Sequence, residues 1–269
     1  MPEPAPNHRE LLELATALAV EAGSSLSELA ATARRSPATK SSSSDLVTEA
    51  DTSAEALITH GILAARPEDG IVGEEGASRQ GTTPVVWHID PIDGTTNYVY
   101  AIPAFSVSIA AEVDGRVVAG VVLNPSNGEL YTATLGAGST CNDERLRCRP
   151  ATDLATALVA TGFGYRPEVR RRQAELLVDL LPEIRDIRRF GSAALDLCAV
   201  AAGRVDAYYE RGLNRWDLAA GSLVATEAGA TVANLRGGPP DASFAVAASP
   251  ELFTALRGRL LDLRADDGP

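Results

Sequence analysis

The run Trp87-His88-Ile89-Asp90-Pro91-Ile92-Asp93-Gly94-Thr95-Thr96-Asn97 gathers the residue types that a cation and a phosphate would need side by side. Asp90 and Asp93 straddle Pro91, whose ring fixes φ and removes a backbone donor. A tight turn there would bring both carboxylates and the Ile92 carbonyl toward one point. Hard oxygen donors of this kind favour Mg²⁺. Gly94 lets the backbone approach an anion closely, and Thr95 and Thr96 can open a helix whose free N–H groups attract phosphate oxygens. Two further acidic motifs, Gly73-Glu74-Glu75-Gly76 upstream and Trp216-Asp217 downstream, supply the extra carboxylates that a site with more than one metal requires.

These residues must be carried by regular elements, and the apolar periodicity places several of them. Leu11, Leu14, Ala15, Leu18, Ala22, Leu26 and Leu29 recur at three- and four-residue steps, which predicts an amphipathic helix over residues 7–35. A polar, mobile loop is expected at residues 36–44, and a second helical pattern begins within Asp45-Leu46-Val47-Thr48-Glu49-Ala50-Asp51. Four β-rich runs follow, at residues 85–89, 105–113, 117–123 and 130–135. The turn signals Asp114-Gly115 and Asn127-Gly128 lie between them, so an antiparallel sheet is expected. The second half alternates helices at 170–181, 192–202, 216–229 and 250–263 with extended runs at 207–210, 230–235 and 244–248. The pattern is mixed α/β, a single unit with a soft subdivision into residues 1–150 and 151–269. Trp87 and Trp216 are expected to anchor the core.

With 269 residues, 45% of them hydrophobic, the chain can bury one large core or two intimately packed ones. Its formal charge of −12 argues against broad nucleic-acid binding, which needs many basic residues to displace counterions. Clustered acids suggest cations instead. Three cysteines, Cys141, Cys148 and Cys198, cannot all pair within the chain and are read as reduced thiols. No signal-peptide pattern and no membrane-spanning run is visible, so a cytoplasmic protein without a membrane partner is expected. Arg185, Arg188 and Arg189 form a local basic cluster that could meet an acidic protein partner.

Taken in order and spacing, Asp45 through Asp51, Gly73-Glu74-Glu75, Trp87 through Asn97, Gly191-Ser192-Ala193-Ala194, Asp206 through Glu210 and Trp216 through Gly221 resemble the inositol monophosphatase family. That family belongs to the lithium-sensitive, metal-dependent phosphatases. Gly162-Phe163-Gly164-Tyr165 and residues 188–198 look most similar to its bacterial, extragenic-suppressor-type branch. The resemblance implies an αβαβα layered sandwich, commonly a homodimer, that hydrolyses a small phosphate monoester, with inositol monophosphate the leading substrate. It further implies two to three Mg²⁺ per site. Glu74, Asp90 and the Ile92 carbonyl hold the first, while Asp90, Asp93 and Asp217 hold the second. Lithium is the implied inhibitor.

By the same resemblance, Glu74 and Thr95 position an attacking water, and Asp51 supports Thr95 as its hydrogen-bond acceptor. Gly94 and Thr95 amides cradle phosphate, and Ala193 and Glu210 meet the substrate's alcohol half. The metal motifs leave histidinol phosphate and fructose 1,6-bisphosphate open as substrates of the same superfamily. A transcription or ribosomal-RNA-maturation accessory role, known in the bacterial branch, is a further alternative.

Overall fold

The computed structural model describes residues 6–35, 43–150 and 153–267. The long helix α1 (His8–Arg35) buries Leu11, Ala15, Leu18, Ala22 and Leu26 on one stripe, as the periodicity predicts, whereas Leu29 is exposed. Helix α2 (Ser43–Ala65) starts within the span expected to be loop, and the rest of that loop, residues 36–42, lies outside the described residues.

The first sheet is built from β1 (Gly70–Gly73), β2 (Ser78–Arg79), β3 (Val85–Asp93), β4 (Ser106–Val113), β5 (Arg116–Asn124), β6 (Glu129–Thr134), β7 (Gly138–Cys141) and β8 (Glu144–Arg145); the short helix α3 (Thr95–Val99) separates β3 from β4. Its order is β2-β1-β3-β4-β5-β6-β7-β8. The expected antiparallel sheet covers only part of it, because β1 pairs with β3 in parallel after the crossover through 74–84. At the β4–β5 turn both Asp114 and Gly115 take positive φ, 49° and 79°, the conformation that matches the twist of a tight hairpin.

A second sheet, ordered β10-β9-β11-β13-β12, comprises β9 (Leu158–Thr161), β10 (Asp186–Arg188), β11 (Ala207–Glu210), β12 (Thr231–Ala233) and β13 (Ala245–Ala248). Helices α4 (Pro167–Leu180), α5 (Ala193–Ala201), α6 (Arg215–Glu227) and α7 (Pro250–Asp262) complete the chain.

Strand alternation shows how the layers stack. Val122 of β5 and Tyr208, Ala245 and Ala247 of the second sheet share one core with α5 and α6. The neighbouring Val121 and Leu123 face α1 and α2 instead. Tyr209 and Val246 face Leu176, Leu180, Leu252 and Leu256 of α4 and α7. With both faces of each sheet covered, the strands read as continuous apolar runs. The layers are therefore α1/α2, first sheet, α5/α6, second sheet, α4/α7, the αβαβα sandwich. Helices α5 and α6 lie between two sheets and are accordingly apolar nearly all round, which makes the buried Asp196 of α5 conspicuous. Among the described residues no helix is long and apolar enough to cross a membrane.

Candidate active site

The two aspartates of the central motif owe their arrangement to a bulge, where the sequence suggested a turn. Strand β3 runs through Asp93. Asp90 pairs with Ser108 and Asp93 with Ser106, so one extra residue is accommodated on β3 between them. Residues three apart on a regular strand face opposite sides; the extra residue restores Asp93 to the side of Asp90. Gly94 then turns at φ 94°, a left-handed conformation, with the Gly191 carbonyl so close that a Cβ would sit 2.9 Å from it. Helix α3 begins at Thr95.

The third aspartate arrives from the opposite layer. Asp217 lies in the first turn of α6, where its Oδ2 accepts the Asn214 backbone N–H at 2.6 Å. Ser108 Oγ donates to the Trp216 carbonyl at 3.3 Å and ties this helix start to β4. One carboxylate oxygen each from Asp90, Asp93 and Asp217 lies within 4.8 Å of the others. Asp93 Oδ2 accepts from Ser192 Oγ at 2.6 Å and from the Ala194 N–H at 2.7 Å. The N-terminus of α5 thus fixes the rotamer of Asp93.

The cluster is a set of buried and half-buried acids that raise one another's carboxyls. Burial and the charges of Asp93, Glu74 and Asp217 push the Asp90 carboxyl well above its usual range. Asp90 Oδ1 is buried with no hydrogen-bond partner. Burial, then Asp217, raises Asp93 to about 7 against the hydrogen bonds from Ser192 and Ala194. Burial likewise raises Asp217 to about 6, opposed by the Asn214 N–H. Hard oxygens, a shared focus and an orphaned buried acceptor fit a divalent cation such as Mg²⁺.

Glu74 stands at the rim, immediately after β1, with its carboxyl raised by burial and within hydrogen-bonding reach of Asp90. Its loop is held by a residue that the sequence reading passed over. Buried Glu55 of α2 accepts the backbone N–H groups of Glu75 and Ala77, each at 2.8 Å. The signal was available: Glu55 lies one helical turn after Asp51 and shares its face. Asp51 is buried too, and burial followed by Glu75, Glu74 and Glu55 raises it to about 8. The expected Thr95–Asp51 hydrogen bond is not formed. Thr95 Oγ1 donates instead to the Ile92 carbonyl at 3.1 Å, and Asp51 Oδ1 has no partner. The bulge brings that carbonyl within reach of the first turn of α3, and a nearby acceptor on the same loop wins over one on another layer.

A cleft of about 490 Å³ joins Glu74, Asp90, Ile92, Asp93, Gly94, Thr95, Ala193, Glu210 and Asp217. Of the residues singled out from sequence as site candidates, only Asp51 is not on its wall. Glu210, at the end of β11, accepts from Tyr208 Oη at 2.8 Å, and burial raises its carboxyl to about 7. The Glu210 carboxyl fills the space beside Gly162, where a Cβ would fall 2.0 Å from its Oε2. Trp87 is fully buried and donates from Nε1 to Asp69 at 2.9 Å, whereas Trp216 is only half-buried. The arginine cluster is divided. Arg185 Nε donates to the Thr156 carbonyl and Arg188 pairs with Asp186 at 2.7 Å, but Arg189 enters the cleft.

Fold and site together define a phosphatase of the layered sandwich type, with clustered acids disposed to hold metal. The inositol monophosphatase family profile matches residues 7–262, and the chain belongs to that family. It is 51% identical over 202 residues to the Mycobacterium tuberculosis protein named inositol-1-monophosphatase SuhB, covering 72% of this chain and 70% of that protein. It is 39% identical over 260 residues to Escherichia coli Nus factor SuhB, covering 95% and 97%. The solved structure of Mycobacterium tuberculosis SuhB superposes with a TM-score of 0.84 at 43% identity, over 97% of this chain and 99% of that one.

Proposed function

We propose that the protein is a Mg²⁺-dependent phosphomonoesterase whose preferred substrate is a myo-inositol monophosphate. The observation that carries this reading is the convergence of Asp90, Asp93 and Asp217 oxygens within 4.8 Å, in the same cleft as the Gly94 turn and Glu210. Glu74, Asp90 and the Ile92 carbonyl would hold one cation, and Asp90, Asp93 and Asp217 a second, with a third, weaker one near Glu74. Divalent cations bound there would neutralise charge on the phosphate and make an attacking water acidic enough to react at neutral pH.

The chain's own groups do the rest. Gly94 and Thr95 amides receive phosphate oxygens, Glu74 and Thr95 orient water, and Asp51 stands behind Glu74 and Glu75 as an acidic support for that corner. Ala193 and Glu210 meet the alcohol half, where a carboxylate left unpaired by a ligand lacking hydroxyls would penalise the wrong substrate. Specificity constants for inositol 1-phosphate, fructose 1,6-bisphosphate and histidinol phosphate, measured in Mg²⁺, test the assignment. Inositol phosphate is expected to lead; a lead of either other ester would replace it. Lithium, similar in size to Mg²⁺ with half its charge, should inhibit uncompetitively at millimolar levels, and a homodimer is the expected assembly.

A second reading draws on the Nus factor names carried by relatives such as the Escherichia coli protein. Here a transcription-machinery partner would meet the outer edge of the second sheet, where Arg185 and Arg188 are exposed. Capture of transcription factors by wild type, lost in a doubly substituted Arg185/Arg188 variant that keeps phosphatase activity, would support it.

A further inference from the structure

Arg189 is the cleft residue for which the acidic centre gives no account. Among the described residues its guanidinium makes no hydrogen bond and no ion pair, although its neighbours in sequence, Arg188 and Arg185, are both engaged. It lies over Gly191, where a Cβ would fall 2.4 Å from Arg189 Nη1. The same Gly191 closes against the Gly94 turn, so the guanidinium stands beside the corner that separates the phosphate end of the cleft from its alcohol end. On the alcohol side its charge acts on two carboxylates, Glu210 and the buried Asp196. Neither carboxylate lies within ion-pair distance of it. Glu210 Oε2 is taken by Tyr208, and Asp196 Oδ1 is buried without a partner.

Hydrogen-bond chemistry narrows what fits between them. A guanidinium only donates and a carboxylate only accepts, whereas a hydroxyl does both. Adjacent hydroxyls on one ring can therefore accept from Arg189 and donate to Glu210, satisfying both sides at once. A second anionic group in the same place could accept from Arg189 but has no proton to donate to Glu210, so it would satisfy one side only.

Resting on the phosphatase reading, we infer that Arg189 is a specificity-determining residue that donates to a hydroxyl on the alcohol half of the substrate, opposite Glu210, and so selects a ring with adjacent hydroxyls and no second charge there.

The test compares Arg189→Ala, Arg189→Lys and wild type, in Mg²⁺, on inositol 1-phosphate, on p-nitrophenyl phosphate and on fructose 1,6-bisphosphate. Losing a hydrogen bond from a charged donor costs on the order of 10-fold in kcat/KM. The ratio of specificity constants for inositol 1-phosphate over p-nitrophenyl phosphate is therefore expected to fall about 10-fold in Arg189→Ala. The change should be mainly in KM, with partial recovery in Arg189→Lys. An unchanged ratio overturns the inference, whether both esters suffer equally or neither does. So does a larger loss on fructose 1,6-bisphosphate than on inositol 1-phosphate, which would make Arg189 a reader of a second anion. A change in assembly mass for Arg189→Ala by light scattering would assign the residue to a subunit interface and overturn it too. If wild type hydrolyses none of the three esters, it is the phosphatase reading that fails.

Discussion

Asp90 and Asp93 face the same side of β3 although three positions separate them, because the strand takes up one extra residue between their partners Ser108 and Ser106. Asp93 is then held by Ser192 and the Ala194 N–H from α5, and one of its oxygens lies within 4.8 Å of an oxygen of Asp90 and of Asp217. Asp93→Asn keeps the shape and removes the charge. Turnover in saturating Mg²⁺ is expected to fall on the order of 10²-fold or more, with native circular dichroism. Near-normal turnover would remove Asp93 from the metal site.

The metal-free protein should be more stable at mildly acidic than at alkaline pH. Asp93, Asp217 and Asp51 are raised to about 7, 6 and 8, and burial and the neighbouring acids raise Asp90 well above its usual range. Between the ordinary carboxyl range near 4 and those values, the folded state binds more protons than the unfolded one, so stability falls as pH rises through that window. Melting in chelator at pH 5.5 and pH 8.5 checks the sign: the higher Tm is expected at pH 5.5. Saturating Mg²⁺ should narrow the difference, because cation binding expels the same protons.

How much of this could be read from the sequence depends on what each residue does. The strand ending in acids, the Ala- and Leu-rich helices and the Asp114-Gly115 hairpin were legible because their cause is local: period, turn chemistry, a fixed φ. The bulge was not, since it is defined only by the register against β4. Parallel β1, β9 and β10 are three or four residues long, too short for a period to register. The clustered acids were singled out by residue type, and Asp51, Ala193 and Glu210 by family resemblance; the groups that hold these side chains and loops were singled out by neither. Ser192 reaches Asp93 across 99 positions, and Glu55 reaches the Glu75 and Ala77 N–H groups across 20 and 22. Arg189 lies just beyond the end of β10 and lines the cleft, a placement that charge counting does not register.

Glu55→Gln tests whether the Glu74 loop needs its clamp. The carboxylate accepts two backbone N–H groups with two oxygens; an amide offers one oxygen and turns a donor toward the other N–H. A loss of about 1–3 kcal/mol in stability is expected. The Mg²⁺ concentration for half-maximal activity should also rise, as Glu74 loses its fixed position. Unchanged stability and metal requirement would show the loop to be held by other contacts.

Thr95→Ala removes a hydroxyl that donates to the Ile92 carbonyl, the oxygen proposed above as a metal ligand, while leaving the Thr95 amide intact. We expect kcat to fall on the order of 10²-fold with little change in KM. Thr95→Ser, which keeps the hydroxyl, should recover most of it. A rise in KM alone would make Thr95 a binding residue.

If Asp90, Asp93 and Asp217 hold the divalent cations that make this cleft hydrolytic, chelator-stripped protein should release no inorganic phosphate from inositol 1-phosphate. Titration with Mg²⁺ is expected to restore full release to wild type and none to Asp90→Asn at any Mg²⁺ concentration. Release by the stripped protein at the full rate, or by Asp90→Asn at the wild-type rate, would contradict that role for the three aspartates.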